Sequence, residues 1–238
     1  MTLITDILAR AARQCSVPAP SSWITATTQD ALEIRDFLDE TVDDILERVD
    51  VAQPVSKQVT LTGDGNEFLA LPSDFKRLHR GDLAVYERDR SRRRCIPVNT
   101  DGEWEYLKEL GASGSIRYFR VRGYPGAYTM GFFRELETGS DVIVSYVSDK
   151  WIINGSTEKA TFSDGSDASM FPRRLLESGI VWRFRERKGL EFEDKQAEYE
   201  ALLARMINDT RTVRQVVFGG VERLGPYDIP VPDFIPPA

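Results

Sequence analysis

The sequence predicts an α+β fold: a helical body of about four helices, an inserted antiparallel β module and an extended C-terminal arm. Three observations predict it. Apolar residues recur at helical spacing over residues 2–15, 30–50 and 172–213. Between them, over residues 55–150, the period falls to two and Gly, Pro and Asp punctuate the chain. After Val216 neither period survives, and five of the twelve prolines fall in the last thirteen residues. The expected organisation is N-terminal helices over 1–54, the β-rich module over 55–150, a polar loop and helical hairpin over 151–215, and a Pro-rich arm over 216–238.

The first helix follows from Leu3, Ile7, Leu8 and Ala11, which share one face before Pro18 and Pro20 stop the run. Thr27 or Thr28 can accept the free N–H groups of a second helix, along which Ile34, Leu38, Val42, Ile45 and Val49 recur until Pro54. Val55, Val59 and Leu61 then lead into Gly63-Asp64-Gly65-Asn66, which predicts a hairpin. Further strands are expected at 82–87, 95–98, 115–121, 128–133 and 141–147, with a short helix over 101–110. Residues 151–169 are polar and rich in Gly, Ser and Asp, and read as a long loop. Pro172 suits a first helical turn because its missing N–H has no partner there, and Gly189 ends that helix near residue 188. A second helix of the pair opens on Glu191, Glu193 and Asp194 and carries Tyr199, Leu203 and Met206 on one stripe.

The net charge of −7 is concentrated rather than spread. Residues 30–50 hold nine acids against Arg35 and Arg48, which alone equals the whole imbalance, whereas residues 171–188 hold six bases against two acids. The acidic face is read either as a solvated surface or as a docking or channel face. Apolar runs are short and the N-terminus lacks a basic start followed by an apolar stretch, so no membrane span or signal peptide is expected. Cys15 and Cys95 stand too far apart in the chain for a metal-binding pair and are expected as free thiols.

Catalytic chemistry finds little to stand on. A Ser–His or Cys–His pair has only His79 to accept a proton, and no glycine run is followed by a phosphate-cradling GK[ST]. Asp39, Asp43 and Asp44 are spaced along one helix face rather than converging as an acid–base or metal constellation requires. No catalytic residue, cofactor or metal is therefore expected. Arg88, Arg90, Arg92, Arg93 and Arg94 form the densest basic cluster, at an expected turn, where phosphate contacts are conceivable. Acidic residues interrupt it and no aromatic is interleaved, so a nucleic-acid-binding assembly module is the alternative reading rather than the first.

Three stretches carry a resemblance: Phe68-Leu69-Ala70-Leu71-Pro72-Ser73-Asp74-Phe75-Lys76-Arg77-Leu78; the strand from Glu137 to Lys150; and Phe171-Pro172-Arg173-Arg174-Leu175-Leu176 leading to Tyr199, Leu203 and Asp209-Thr210-Arg211. In this order, around an inserted β module, they resemble the head-to-tail connector proteins of tailed bacteriophages, also called adaptors or head completion proteins. The likeness spans about residues 27–215; the arginine turn at 88–94 and the helix at 101–110 depart from it. The resemblance implies a structural virion protein, present in the host cytoplasm during assembly. It further implies a ring of twelve copies beneath the portal, a downstream tail or stopper partner, and DNA passing through without specific binding.

On that reading, opposite fields on one subunit's acidic helix (Asp39, Asp43, Asp44) and another's basic helix (Arg183, Arg187) are expected to meet between subunits, or the acids to line the lumen. The arm is expected to grip the portal through Val217, Phe218, Tyr227, Ile229, Val231, Phe234 and Ile235, because prolines hold it close to an extended form before docking. Folding back over its own helices is the alternative for the arm.

Overall fold

The structure, a computed structural model, describes residues 1–49, 54–80, 83–88, 93–110 and 116–212, with side chains to Asn208. In chain order the elements are β1 (Thr2–Leu3), α1 (Ile4–Gln14), α2 (Gln29–Arg48), β2 (Ser56–Thr62), β3 (Phe68–Ala70), β4 (Phe75–Leu78), β5 (Val85–Glu87) and β6 (Ile96–Pro97). There follow α3 (Asp101–Leu110), β7 (Tyr118–Arg122), β8 (Thr129–Phe133), β9 (Asp141–Ser148), β10 (Ile152–Asn154), β11 (Thr157–Lys159), β12 (Ala168–Ser169), α4 (Arg173–Arg187) and α5 (Glu193–Thr212). The class is α+β, as the sequence predicts.

Two apolar cores divide the chain. In the first, the amphipathic faces of α1, α2, α4 and α5 meet through residues such as Ile7, Leu38, Ile45, Ile180 and Leu203, all fully or almost fully buried. Burying each such side chain contributes roughly 1.5 to 3 kcal/mol, which is why helices of modest intrinsic propensity hold together here. α4 ends as its sequence dictates: Gly189 takes φ +67, and Leu190 donates its N–H back to the Arg185 carbonyl to close the last turn.

The second core lies within the β module. In one sheet β9 is central, with β2 along one edge and β4 and β5 end to end along the other. A second sheet runs β3-β8-β7-β6, with β6 parallel to β7. Leu61, Val85, Val142 and Val144 of the first sheet join Leu69, Phe119, Met130 and Phe132 of the second in one buried cluster. α3 is anchored by Trp104, fully buried, whose indole carries the Arg120 guanidinium 4.1 Å from its centroid.

Two expectations are corrected. The Gly63–Asn66 turn does not close a hairpin, because β2 pairs with β9 and β3 pairs with β8. Gly63 instead meets a second turn: it donates to Ser140 and its carbonyl accepts from Gly139, so the chain crosses from one sheet to the other. A Cβ at Gly63 would lie 2.4 Å from the Glu137 carbonyl, and only glycine permits that approach. Residues 151–169 are not a loop. They form β10, β11 and β12, which with β1 make a third four-stranded sheet on the helical core, sealed by Trp151 and Ile152.

Candidate functional site

The surfaces on which sequence reasoning places function are the acidic helix, the basic helix, the arginine turn and the arm. α2 and α4 pack against one another inside one chain, and their opposite charges meet there. Arg183, its side chain 11% exposed, donates to Thr41 Oγ1 at 3.1 Å, lies 3.6 Å from Asp44 and 3.7 Å from Glu40, and stacks 4.4 Å from the Trp182 ring. Asp44 also accepts the Tyr199 hydroxyl at 2.5 Å, which with burial holds that phenol well above its ordinary pKa. Arg48 closes the array with a bidentate pair to Glu200 of α5. At the other end of the same seam Lys188 bridges Asp30 at 3.1 Å and Glu33 at 2.8 Å. Arg183 and Asp44 are therefore held together within the fold, while Arg187 is exposed on the last turn of α4.

Asp39 and Asp43 sit elsewhere, on the exposed side of α2 beside the β module. With Lys76, Asp149, Trp151 and Thr161 they line a cleft of about 180 Å³. Asp43 pairs with Lys76 at 2.5 Å. Next to that pair Arg77 donates Nε to the Leu46 carbonyl at 3.0 Å and Nη2 to the Val49 carbonyl at 3.2 Å, and Arg80 donates to Glu47. These arginines satisfy the last carbonyls of α2, which have no partner within the helix, and they tie the helical body to β4.

The Leu71-Pro72-Ser73-Asp74-Phe75 stretch gains a physical role here. Asp74 accepts from Lys57 of β2 at 2.8 Å, and from Tyr146 at 3.1 Å and Ser148 at 2.8 Å of β9. Burial alone would raise its pKa; Lys57, Ser148 and Tyr146 outweigh that and hold it low. The same contact and burial push the Tyr146 phenol up to about 12. One carboxylate thus ties the entry to β4 to both β2 and β9.

Arg88, Arg93 and Arg94 are exposed at the end of β5, where Arg88 pairs with Asp141 at 3.7 Å and Arg94 bridges back to Tyr86. Arg90 and Arg92 lie outside the described residues. So does the arm, with Val217, Phe218, Tyr227, Ile229, Val231, Phe234 and Ile235. Cys15 and Cys95 are free, and burial pushes their thiols up to about 11 and about 12, far from the thiolate that nucleophilic or redox chemistry needs. His79 Nε2 stands 3.1 Å from Ser56 Oγ, linking the segment after β4 to β2. Among the described residues no group of three or more His, Cys, Asp or Glu is arranged to hold a metal ion, and no helix is long and apolar enough to cross a membrane.

A helical body and a two-sheet β module buttressed on α2 by arginines are features of a scaffold. The family model for the SU10 adaptor protein matches residues 1–223. The chain belongs to this family of phage head-to-tail adaptors. An SU10-type adaptor is a structural protein of the virion that assembles with portal and tail proteins. Within this adaptor the match takes in both cores and α5, and stops before Tyr227. A search of curated proteins finds no match to the chain.

Proposed function

We propose that this adaptor forms a closed ring of twelve copies beneath the portal, joins head to tail through a downstream tail or stopper protein, and leaves a channel through which DNA passes without specific binding. The observation that carries the reading is the family match across residues 1–223. The surface chemistry supports it. Asp36, Asp39, Asp43 and Glu47 are all exposed on α2, and a face of one sign on each copy gives a neighbouring copy an oriented electrostatic target.

Portal contact falls to the arm. Its apolar residues alternate with prolines that remove backbone donors and restrict the chain, so docking orders less of it than a flexible tail would require. Each engaged side chain adds roughly 1.5 to 3 kcal/mol, and a ring multiplies the effect across its copies. Deletion of residues 222–238 tests this. The truncated protein is expected to keep its melting temperature and to lose co-sedimentation with portal. Full portal binding would overturn the assignment of portal contact to the arm, and a large fall in melting temperature would mean that the arm packs on its own helices.

A further inference from the structure

The charges that α2 and α4 share within one chain leave two other surfaces with an excess of one sign. Asp36, Asp39, Asp43 and Glu47 run along the exposed side of α2 over about 16 Å at 1.5 Å per residue. Asp36 and Glu47 form no ion pair among the described residues, Asp39 feels Arg35 but also the like charges of Asp36 and Asp43, and like charges three or four apart on a helix repel one another. The face is therefore locally unfavourable as it stands.

The second surface lies where α1 ends and α4 begins. Arg173 and Arg174 occupy the first turn of α4, which has no acid in that turn and no side-chain cap from Pro172. Cations at that end oppose the helix dipole. Arg10, 47% exposed, joins Arg173 on the single carboxylate of Glu177, at 3.9 and 3.4 Å, and Arg174 shares Glu198 with Lys195, both at 2.8 Å. Arg13 is exposed and has no ionic partner among the described residues. Five cations thus gather around two carboxylates.

We propose that the acidic face of α2 of one copy docks on the basic end formed by α1 and α4 of a second copy. The two surfaces are different patches of the same chain, so the contact is heterologous and propagates head to tail, as a ring requires. It relieves both local penalties at once: the repulsion along α2 and the misplaced cations at the start of α4. The inference rests on the ring reading above, and it moves the contact between subunits from Arg183, which is occupied inside the fold, to Arg13, Arg173 and Arg174.

The test needs no portal, so its failure is separate from failure of the portal reading. One variant carries Asp36→Lys, Asp39→Lys and Glu47→Lys; the other carries Arg13→Glu, Arg173→Glu and Arg174→Glu. Sedimentation velocity of full-length protein at low ionic strength is expected to show wild-type self-association that salt abolishes. Each variant alone is expected to associate at least about tenfold more weakly, because like charges then face one another. An equimolar mixture of the two should recover wild-type association, since each then presents a complementary face to the other; that recovery also shows both variants to be folded. A wild-type chain monomeric at every salt concentration overturns the pairing. So does a mixture no better than its components. If the arginine variant instead loses only retention on duplex DNA and self-associates normally, the basic end is a phosphate-binding surface and the pairing is wrong.

Discussion

Gly179 sits in the middle of α4 where that helix crosses α2, and replacing it with alanine probes the closest helix contact in the body. A Cβ there would lie 2.3 Å from Thr41 Cγ2, 3.0 Å from Thr41 Oγ1 and 3.1 Å from Tyr199 Cε2. Carbon atoms in contact sit about 3.5 to 4.0 Å apart, so more than 1 Å must be found. Thr41 has little freedom to give it. The residue is fully buried, its β-branched side chain is stiff, and its hydroxyl donates to Phe37 at 2.6 Å while accepting from Arg183 at 3.1 Å. Alanine gains about 1 kcal/mol over glycine in a helix interior. Overpacking costs about 1 to 3 kcal/mol, and the shift also strains the Arg183 contact. A net loss of about 1 to 2 kcal/mol is expected, lowering the melting temperature by about 2 to 8 °C for a chain of this size. Thr41→Ala removes the two nearest of these three atoms, so in the double variant Gly179→Ala should cost at least about 1 kcal/mol less. Urea unfolding with an unchanged slope measures all four species. A neutral or stabilising Gly179→Ala, or strict additivity with Thr41→Ala, would refute the argument.

Glu87 and Arg117 form a buried pair at 2.5 Å in the β module, and Glu87→Ala should cost about 3 to 5 kcal/mol by stranding the guanidinium. Glu87→Leu combined with Arg117→Met should melt nearer to wild type than either single change. Arg77→Ala removes two charge-assisted bonds from the end of α2 and should lower stability by about 1.5 to 3 kcal/mol. Amide exchange should then accelerate first around residues 45–49. Asp167 is buried, which alone would raise its pKa, but Lys159, the Ser163 and Asp164 N–H groups and Asn154 hold it at about 2. A depressed carboxylate stabilises the fold above its unfolded pKa near 3.9 and loses that contribution as pH falls toward 2, so Asp167→Asn should cost about 2 kcal/mol at pH 7. Acid unfolding of that variant should show a weaker pH dependence between pH 4 and pH 2.

Helices α1 and α2 were legible because each buries a single stripe, whereas α4, buried at every position over 175–181, was legible from its ends. The apolar spacing of Ile34, Leu38, Val42 and Ile45 sets α2, and Pro172 with Gly189 bounds α4, both within a residue or two of the structure. Within the β module strand positions were legible from alternation, but pairing was not. Nothing local at Gly63–Asn66 tells a hairpin from a crossover between sheets, since the deciding contacts come from Gly139 and Ser140, more than seventy residues away. The β10–β11 hairpin did carry a local signal: Ile152 and Ile153 lead into Asn154-Gly155, Gly155 takes φ +60, and the two-residue Gly155-Ser156 loop closes the turn. The polar composition of 155–169 masked it, because those polar groups serve the fold by gathering around Asp167. Charge blocks were legible on α2 and α4, but not their partners. Antiparallel packing of the two helices brings Arg183 to Asp44 and Lys188 to Glu33 in one chain, and no sequence spacing reports that.

The most direct test of the adaptor account is a cryo-EM reconstruction of the virion neck. The account predicts twelve copies of this chain as one closed ring against the portal, with residues 216–238 of each copy on portal density and the tail or stopper protein below. A neck whose portal meets the tail without this chain, or in which the chain lies outside any ring, would contradict it.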